Sequence, residues 1–229
     1  MLAVENPQFK TTYNLVFGEE YPELYKLFLA VGDIRTYARG YSLFREGEDA
    51  EGFYWILSGH AKICKCLRLD DEQILTLVGP GDFTGLTSCL NGGQYKKGCV
   101  AIGGSVQAVY IPKESFLEWF AKHPGLSLPL LKQIDSKIDR IENRASYFMR
   151  KTIDQRLAHA LILLGSKFGF TPDRYLKIKL SPQELASFIG TTRTTVYRIL
   201  KRFESEALIL IDHKRIKVLN SDALSNLAA

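Results

Sequence analysis

Between Gly32 and Ile111 short apolar runs alternate with glycine-rich breaks. Phe53-Tyr54-Trp55-Ile56-Leu57 stops at Ser58-Gly59. Ala61-Lys62-Ile63-Cys64-Lys65-Cys66-Leu67 then alternates small or apolar with basic residues, the period of a half-buried strand. The acidic turn Asp70-Asp71-Glu72 leads to Gln73–Val78, which ends at Gly79-Pro80-Gly81. Cys99–Ile102 and Val106–Ile111 flank Gly103-Gly104. Strands at this regular spacing, separated by glycine-rich turns, predict an antiparallel roll or sandwich. Its one helical interruption is a short turn after Gly85.

The period changes after Pro112. Ser115–Lys122 reads as a helix, Pro124 punctuates the chain, and a long helix is predicted from about Leu126 to Arg150. Within it Leu131, Ile134, Ile138, Ile141, Ala145 and Phe148 recur at a/d spacing, a seam narrower than the stripe of a helix lying on a globular core. The seam packs either on this chain's own roll or on a second copy. Charges on both flanks (Lys132, Asp135, Lys137, Asp139, Arg140, Glu142, Arg144) favour the copy, as a parallel homodimer. Thr152-Ile153-Asp154-Gln155 has capping-box spacing, so a new helix starts there and runs to about Gly169. The expected organisation is a roll over residues 1–125, a dimerisation helix over 126–151 and a C-terminal domain over 152–229.

Ser181-Pro182-Gln183-Glu184 combines a cap, a first-turn proline and a capping-box glutamate. The helix it opens stops at Gly190, and a second begins near Thr191-Thr192 and continues to about Glu206. Ala186 is small enough for the crossing, and Leu185, Ile189, Val196, Ile199 and Leu200 supply buried contacts, so the pair is a helix-turn-helix. The second helix then exposes Thr192, Arg193, Thr194, Tyr197, Arg198 and Lys201: three cations, two hydroxyls, an aromatic and no acid. Arginine can bind guanine O6 and N7 bidentately, and threonine can meet a thymine methyl or a phosphate. Leu208–Ile211 and Arg215–Leu219 flank Asp212-His213-Lys214 as a hairpin wing, with Lys214, Arg215 and Lys217 placed for phosphates.

Charge sharpens this picture. The 229 residues carry a net +5, too mild to name a partner. Residues 1–150 hold 17 basic and 18 acidic groups, whereas residues 151–229 hold 13 and 7, so the excess lies in the C-terminal third with the helix-turn-helix. Neither a membrane span nor a secretory signal is visible, and four cysteines make no disulfide framework; a reducing cytoplasm is the expected compartment. Cys64 and Cys66 share one strand face and are expected as inert core thiols. His213 is expected as a turn residue and His60 as a surface histidine. The sequence holds no G-x-S-x-G or H-E-x-x-H. Gly93-Gln94-Tyr95-Lys96-Lys97-Gly98 has P-loop glycine spacing, but Cys99-Val100 stands where Lys-Ser/Thr is required. No enzyme is indicated.

Leu43-Phe44-Arg45-Glu46-Gly47-Glu48, Tyr54–Gly59 with Ala61-Lys62, Gly81-Asp82-Phe83-Thr84-Gly85, Leu180–Ala186 and Gly190–Lys201 occur in one order. Over about residues 20–220 the chain therefore resembles the cyclic-AMP receptor protein / fumarate–nitrate regulator (Crp/Fnr) family of bacterial transcription factors. The resemblance implies an α+β chain with an N-terminal double-stranded β-helix (jelly-roll) sensor, a long dimerisation helix and a C-terminal winged helix-turn-helix. It places Arg193 and Arg198 at base- and phosphate-contacting positions, and Ser181 and Gln183 at phosphate-contacting ones. Thr194 stands where many members carry a glutamate that accepts from cytosine, so the operator should depart from the family's common half-site. The partners implied are double-stranded DNA, a second copy of the chain and, for an activator, RNA polymerase.

Thr84, Gly85, Leu86, Thr87, Lys96 and Lys97 are the candidate effector pocket. Nucleotide-binding members place a glutamate after the cassette glycine, for the ribose, and an Arg-Ser pair further on, for the cyclic phosphate. Leu86 cannot bond a ribose hydroxyl, and Lys96-Lys97 replace Arg-Ser, which argues against cyclic AMP or GMP while leaving an unidentified small-molecule effector. Ile141 lies where members offer a hydroxyl to the base. Fumarate–nitrate regulators carry cysteines near the N-terminus for an iron–sulfur cluster; here none precedes Cys64. Cys64, Cys66, Cys89 and Cys99 lack the spacing of a known metal motif, and His60, His123 and His159 give no specific support for haem. Two alternatives stay open: a cyclic-nucleotide-responsive regulator, and a ligand-sensing module acting on a protein partner, which salt-dependent duplex binding separates from a DNA-binding regulator.

Overall fold

The computed structural model describes residues 22–68, 71–213 and 215–228. The chain divides into two compact units between Ser136 and Lys137. The first starts with helix α1 (Pro22–Val31) and strands β1 (Asp33–Tyr37), β2 (Ser42–Phe44), β3 (Gly52–Arg68), β4 (Asp71–Val78) and β5 (Phe83–Thr84). Helix α2 (Leu86–Asn91), strand β6 (Gly98–Pro112) and helix α3 (Lys113–Lys122) follow, then a 3-10 turn (Pro124–Leu126) and the long helix α4 (Ser127–Arg150), in which the division falls.

The first unit is an antiparallel jelly roll built on two long strands. β6 pairs with β1, β2 and β3, and β3 pairs also with β4 and β5. The sequence pattern predicts separate strands on either side of Ser58-Gly59 and of Gly103-Gly104. Instead β3 and β6 run through both glycine sites. The glycines mark a corner: Gly59 has φ 79°, and a Cβ there would lie 2.1 Å from the Ser105 carbonyl oxygen. At that corner the register jumps from Ser58↔Gln107 to His60↔Ile102, so the surplus residues of β6 bulge and the strand pair bends.

Alternate residues of β3 enter two different cores, which explains its unbroken apolar run. Phe53, Trp55 and Leu57 pack with Phe28 of α1, Phe116 of α3 and Leu130 of α4. Tyr54 and Ile56 face the roll interior with Phe44, Tyr95 and Cys99. Cys64 is buried, but Cys66 is exposed, against the expectation for a shared face. The face outruns the core there, beyond a register shift at Ile63/Cys64.

The second unit continues with α5 (Ile153–Phe168), α6 (Pro182–Ile189), α7 (Arg193–Ser205), strands β7 (Ile209–Asp212) and β8 (Arg215–Val218), and α8 (Ser221–Ala228). The capping box expected at Thr152 forms: Gln155 N donates to Thr152 Oγ1 at 3.4 Å, and Thr152 N donates to Gln155 Oε1 at 3.0 Å. β7 and β8 form the hairpin, with His213 at its turn in a left-handed conformation (φ 43°). Among the described residues no helix is long and apolar enough to cross a membrane.

Candidate nucleic-acid interface

Three local devices aim the helix pair. Ser181 caps α6: its Oγ accepts from Glu184 N at 3.2 Å, and Glu184 Oε2 accepts from Ser181 N at 2.8 Å. Pro182 costs nothing in the first turn, where its missing N–H has no helical partner. Gly190 ends α6 at φ 71°, a conformation open to glycine without strain. Thr192 then caps α7, its Oγ1 accepting from Thr195 N at 3.2 Å. With the turn set, Leu185, Ala186 and Ile189 pack with Val196, Ile199, Leu200 and Phe203, none more than 4% exposed.

This packing fixes what α7 shows to solvent. Thr192, Arg193, Thr194, Tyr197, Arg198 and Lys201 are all exposed, and Gln183 is exposed near the start of α6. Ser181 is half-buried; capping uses an oxygen lone pair and leaves its O–H free to donate. Among the described residues neither Arg193 nor Arg198 makes an ion pair. Lys201 does: its Nζ lies 2.9 Å from Glu204 Oε2. That bond raises the lysine pKa and lowers the carboxylate's, helped on Glu204 by a bond from Ile211 N.

The hairpin carries three cations that the sequence places for phosphates. Lys214 lies outside the described residues. Arg215 is held in place, 3.3 Å from Asp212 Oδ2 and with its guanidinium 4.5 Å from the Tyr175 ring centroid. Lys217 lies 5.6 Å from the same ring. Tyr175 forms an isolated bridge to Lys217, and Leu176 N donates to Ile216 O at 2.9 Å, so this segment runs beside the two-stranded β7–β8 hairpin. The sequence pattern left that segment unassigned. Its apolar members, Leu176 and Ile178, alternate with Lys177 and were the available signal.

On the long helix, Leu131, Ile138 and Ile141 are 60%, 48% and 53% exposed, and Ala145 is exposed. Ile134 instead packs, with Leu130, against the α1/α3 core of its own roll. Phe148 is half-buried. Its ring lies 5.1 Å from the Arg156 guanidinium, and its edge comes within 3.8 Å of where a Gly190 Cβ would be. The six seam positions therefore do not share one surroundings.

In the roll, Thr84 is 2% exposed, Gly85 has φ 84°, and Leu86 is buried, so Leu86 fills core space rather than facing a ligand. Thr87, Lys96 and Lys97 are exposed. Tyr95, which the sequence did not single out, occupies the space beside the cassette glycine. It stacks on Phe44 at 4.1 Å and donates its O–H to Gly52 O at 2.8 Å; a Cβ on Gly85 would lie 3.0 Å from its ring. Burial pushes the phenol pKa up. The cysteines do not converge: Cys89 lies in the α1/α3 core and Cys99 in the roll interior. Among the described residues no group of three or more His, Cys, Asp or Glu is arranged to hold a metal.

Residues 34–123 match the cyclic nucleotide-binding domain family, and residues 155–227 the Crp-like helix-turn-helix domain family. The chain is 30% identical over 195 residues to the global nitrogen regulator of Synechocystis sp., covering 84% of this chain and 87% of that protein. It is 28% identical over 194 residues to a CRP-like cAMP-activated global transcriptional regulator of Mycobacterium tuberculosis, covering 84% and 86%. FixK2 from Bradyrhizobium japonicum shares the fold, with a TM-score of 0.75 at 23% identity over 87% of this chain and 98% of that one. A nucleotide-binding-type jelly roll followed by a Crp-like helix-turn-helix defines a class of DNA-binding transcription regulators, not of enzymes. The chain belongs to the Crp/Fnr family.

Proposed function

We propose that two copies of this chain bind an inverted-repeat operator, each laying α7 in the major groove, with half-sites ~34 Å apart. The observation that carries this is the pair of guanidinium groups, Arg193 and Arg198, without an ion pair among the described residues and exposed on a helix whose other face is buried. Each arginine can meet a guanine edge bidentately, while Ser181 and Gln183, at the start of α6, donate to phosphates. Thr194 offers a methyl and a hydroxyl but no carboxylate, so it selects no cytosine amino group. The exposed Leu131, Ile138 and Ile141 on α4 support pairing with a second copy. The protein acts in the cytoplasm, meeting RNA polymerase if it activates.

The roll is a control domain whose effector is not a cyclic nucleotide. Leu86 has nothing to offer a ribose, and Tyr95 already fills the space beside Gly85. An effector entering there must displace Tyr95 from Phe44 and Gly52. Selection of bound sequences from random duplex DNA, with and without cell extract, tests both parts. A two-fold symmetric motif supports the proposal, and an extract requirement reveals an effector. No enrichment under either condition contradicts DNA binding.

A further inference from the structure

We infer that Glu204 is a positioning residue for DNA binding, which withholds Lys201 from the phosphate-binding charge while tying the wing to the recognition helix. The inference rests on the DNA-binding function proposed above. Both carboxylate oxygens are engaged: Oε2 accepts from Lys201 Nζ at 2.9 Å, and Oε1 accepts from Ile211 N of β7 at 3.1 Å. The second bond separates this pair from an ordinary i,i+3 surface pair. A free glutamate could swing aside as a phosphate approached, but this one is held by backbone. If Lys201 leaves for a phosphate, Glu204 stays behind as an uncompensated negative charge at the DNA-facing surface.

Charge counting leads to the same end. Lys201 and Glu204 together bring no net charge to the interface, so the pair releases no counterions on binding. Among the described residues Arg193 and Arg198 have no such neutralising partner, and they lie in the N-terminal half of α7, the part that reads base edges. Removing a sequence-blind phosphate contact from the C-terminal half weakens binding to random DNA and to an operator about alike. Glu204 thereby lowers the phosphate-driven part of the affinity, which is common to every duplex.

The test uses the full chain, a random-sequence duplex and a salt series. Glu204→Gln keeps an oxygen that can accept from Ile211 N and removes the charge. It should bind random duplex more tightly and steepen the slope of log affinity against log salt by about 0.9 per protomer. Lys201→Ala alone leaves the Glu204 charge uncompensated and should bind random duplex more weakly than the parent, and in the Glu204→Gln background it should restore the slope of the parent. An unchanged slope in a folded Glu204→Gln variant overturns the inference. So does unchanged or tighter binding of random duplex by Lys201→Ala alone, a surface change that does not depend on how Glu204→Gln folds. A parent chain with no salt-dependent duplex binding would instead sink the proposed function itself.

Discussion

The guanidinium of Arg156 donates to the Phe148 carbonyl eight residues back along the chain, and its Nε donates to Lys151 O at 3.0 Å. It thus closes the end of α4 onto the start of α5, satisfying carbonyls that the helix end leaves without intrahelical partners. The same guanidinium lies over the Phe148 ring, whose edge reaches the turn at Gly190. Arg156→Met keeps much of the side-chain packing and loses both bonds. It should destabilise the C-terminal unit by about 1–2 kcal/mol, read as a lower denaturant midpoint; an unchanged midpoint would show that the elbow holds without it.

Ile138 is half-exposed in the single chain, so a charge there costs the isolated chain little. In a dimer sealed along α4 the same charge is buried without a partner, which is strongly unfavourable. Ile138→Asp should sediment as a monomer while retaining its helical circular dichroism. A variant that sediments with the parent places the dimer contact elsewhere.

Tyr95 makes a prediction about nucleotides. A ligand that binds the folded chain raises its melting temperature by mass action. Cyclic AMP should leave the melting temperature unchanged, because Tyr95 occupies the space beside Gly85 and Leu86 is buried. A rise that grows with cyclic AMP concentration would count against a filled pocket.

The buried thiols and phenols set an alkaline limit. Burial, with the Glu72 carboxylate adding to it, pushes the Cys64 thiol from 9.0 up to about 12, and burial also raises Tyr54, Tyr95 and Tyr110. Between pH 9 and 12 the unfolded chain releases a thiol proton that the folded chain keeps, so the stability present below pH 9 falls as pH rises. Denaturant midpoints should decline across that window, and a flat profile would contradict the burial. Near neutral pH, Cys66 should label fast and Cys64, Cys89 and Cys99 slowly, since Cys66 alone of the four is exposed.

What the sequence made legible follows the range of the interactions. The helix-turn-helix was readable because its determinants are close in sequence: Ser181 bonds Glu184, and Gly190 ends the helix it terminates. The long strands were not, because a glycine that bends a strand looks like one that ends it; Gly59 shows its role only against Ser105. The a/d period identified α4 but could not say which residues face where, and Ile134 turns to its own roll. Tyr95 on Phe44, and Glu204 on Ile211 N, join positions that no local pattern connects.

Recognition of DNA by α7 is tested most directly by the affinity of the parent and Arg198→Ala for the selected operator and for a scrambled duplex at one salt concentration. Arg198 should cost ~1–3 kcal/mol on the operator, with a much smaller loss on the scrambled duplex, so the specificity ratio falls. Equal affinity of parent and variant for the operator, or an equal loss on both duplexes, would contradict base reading by this helix.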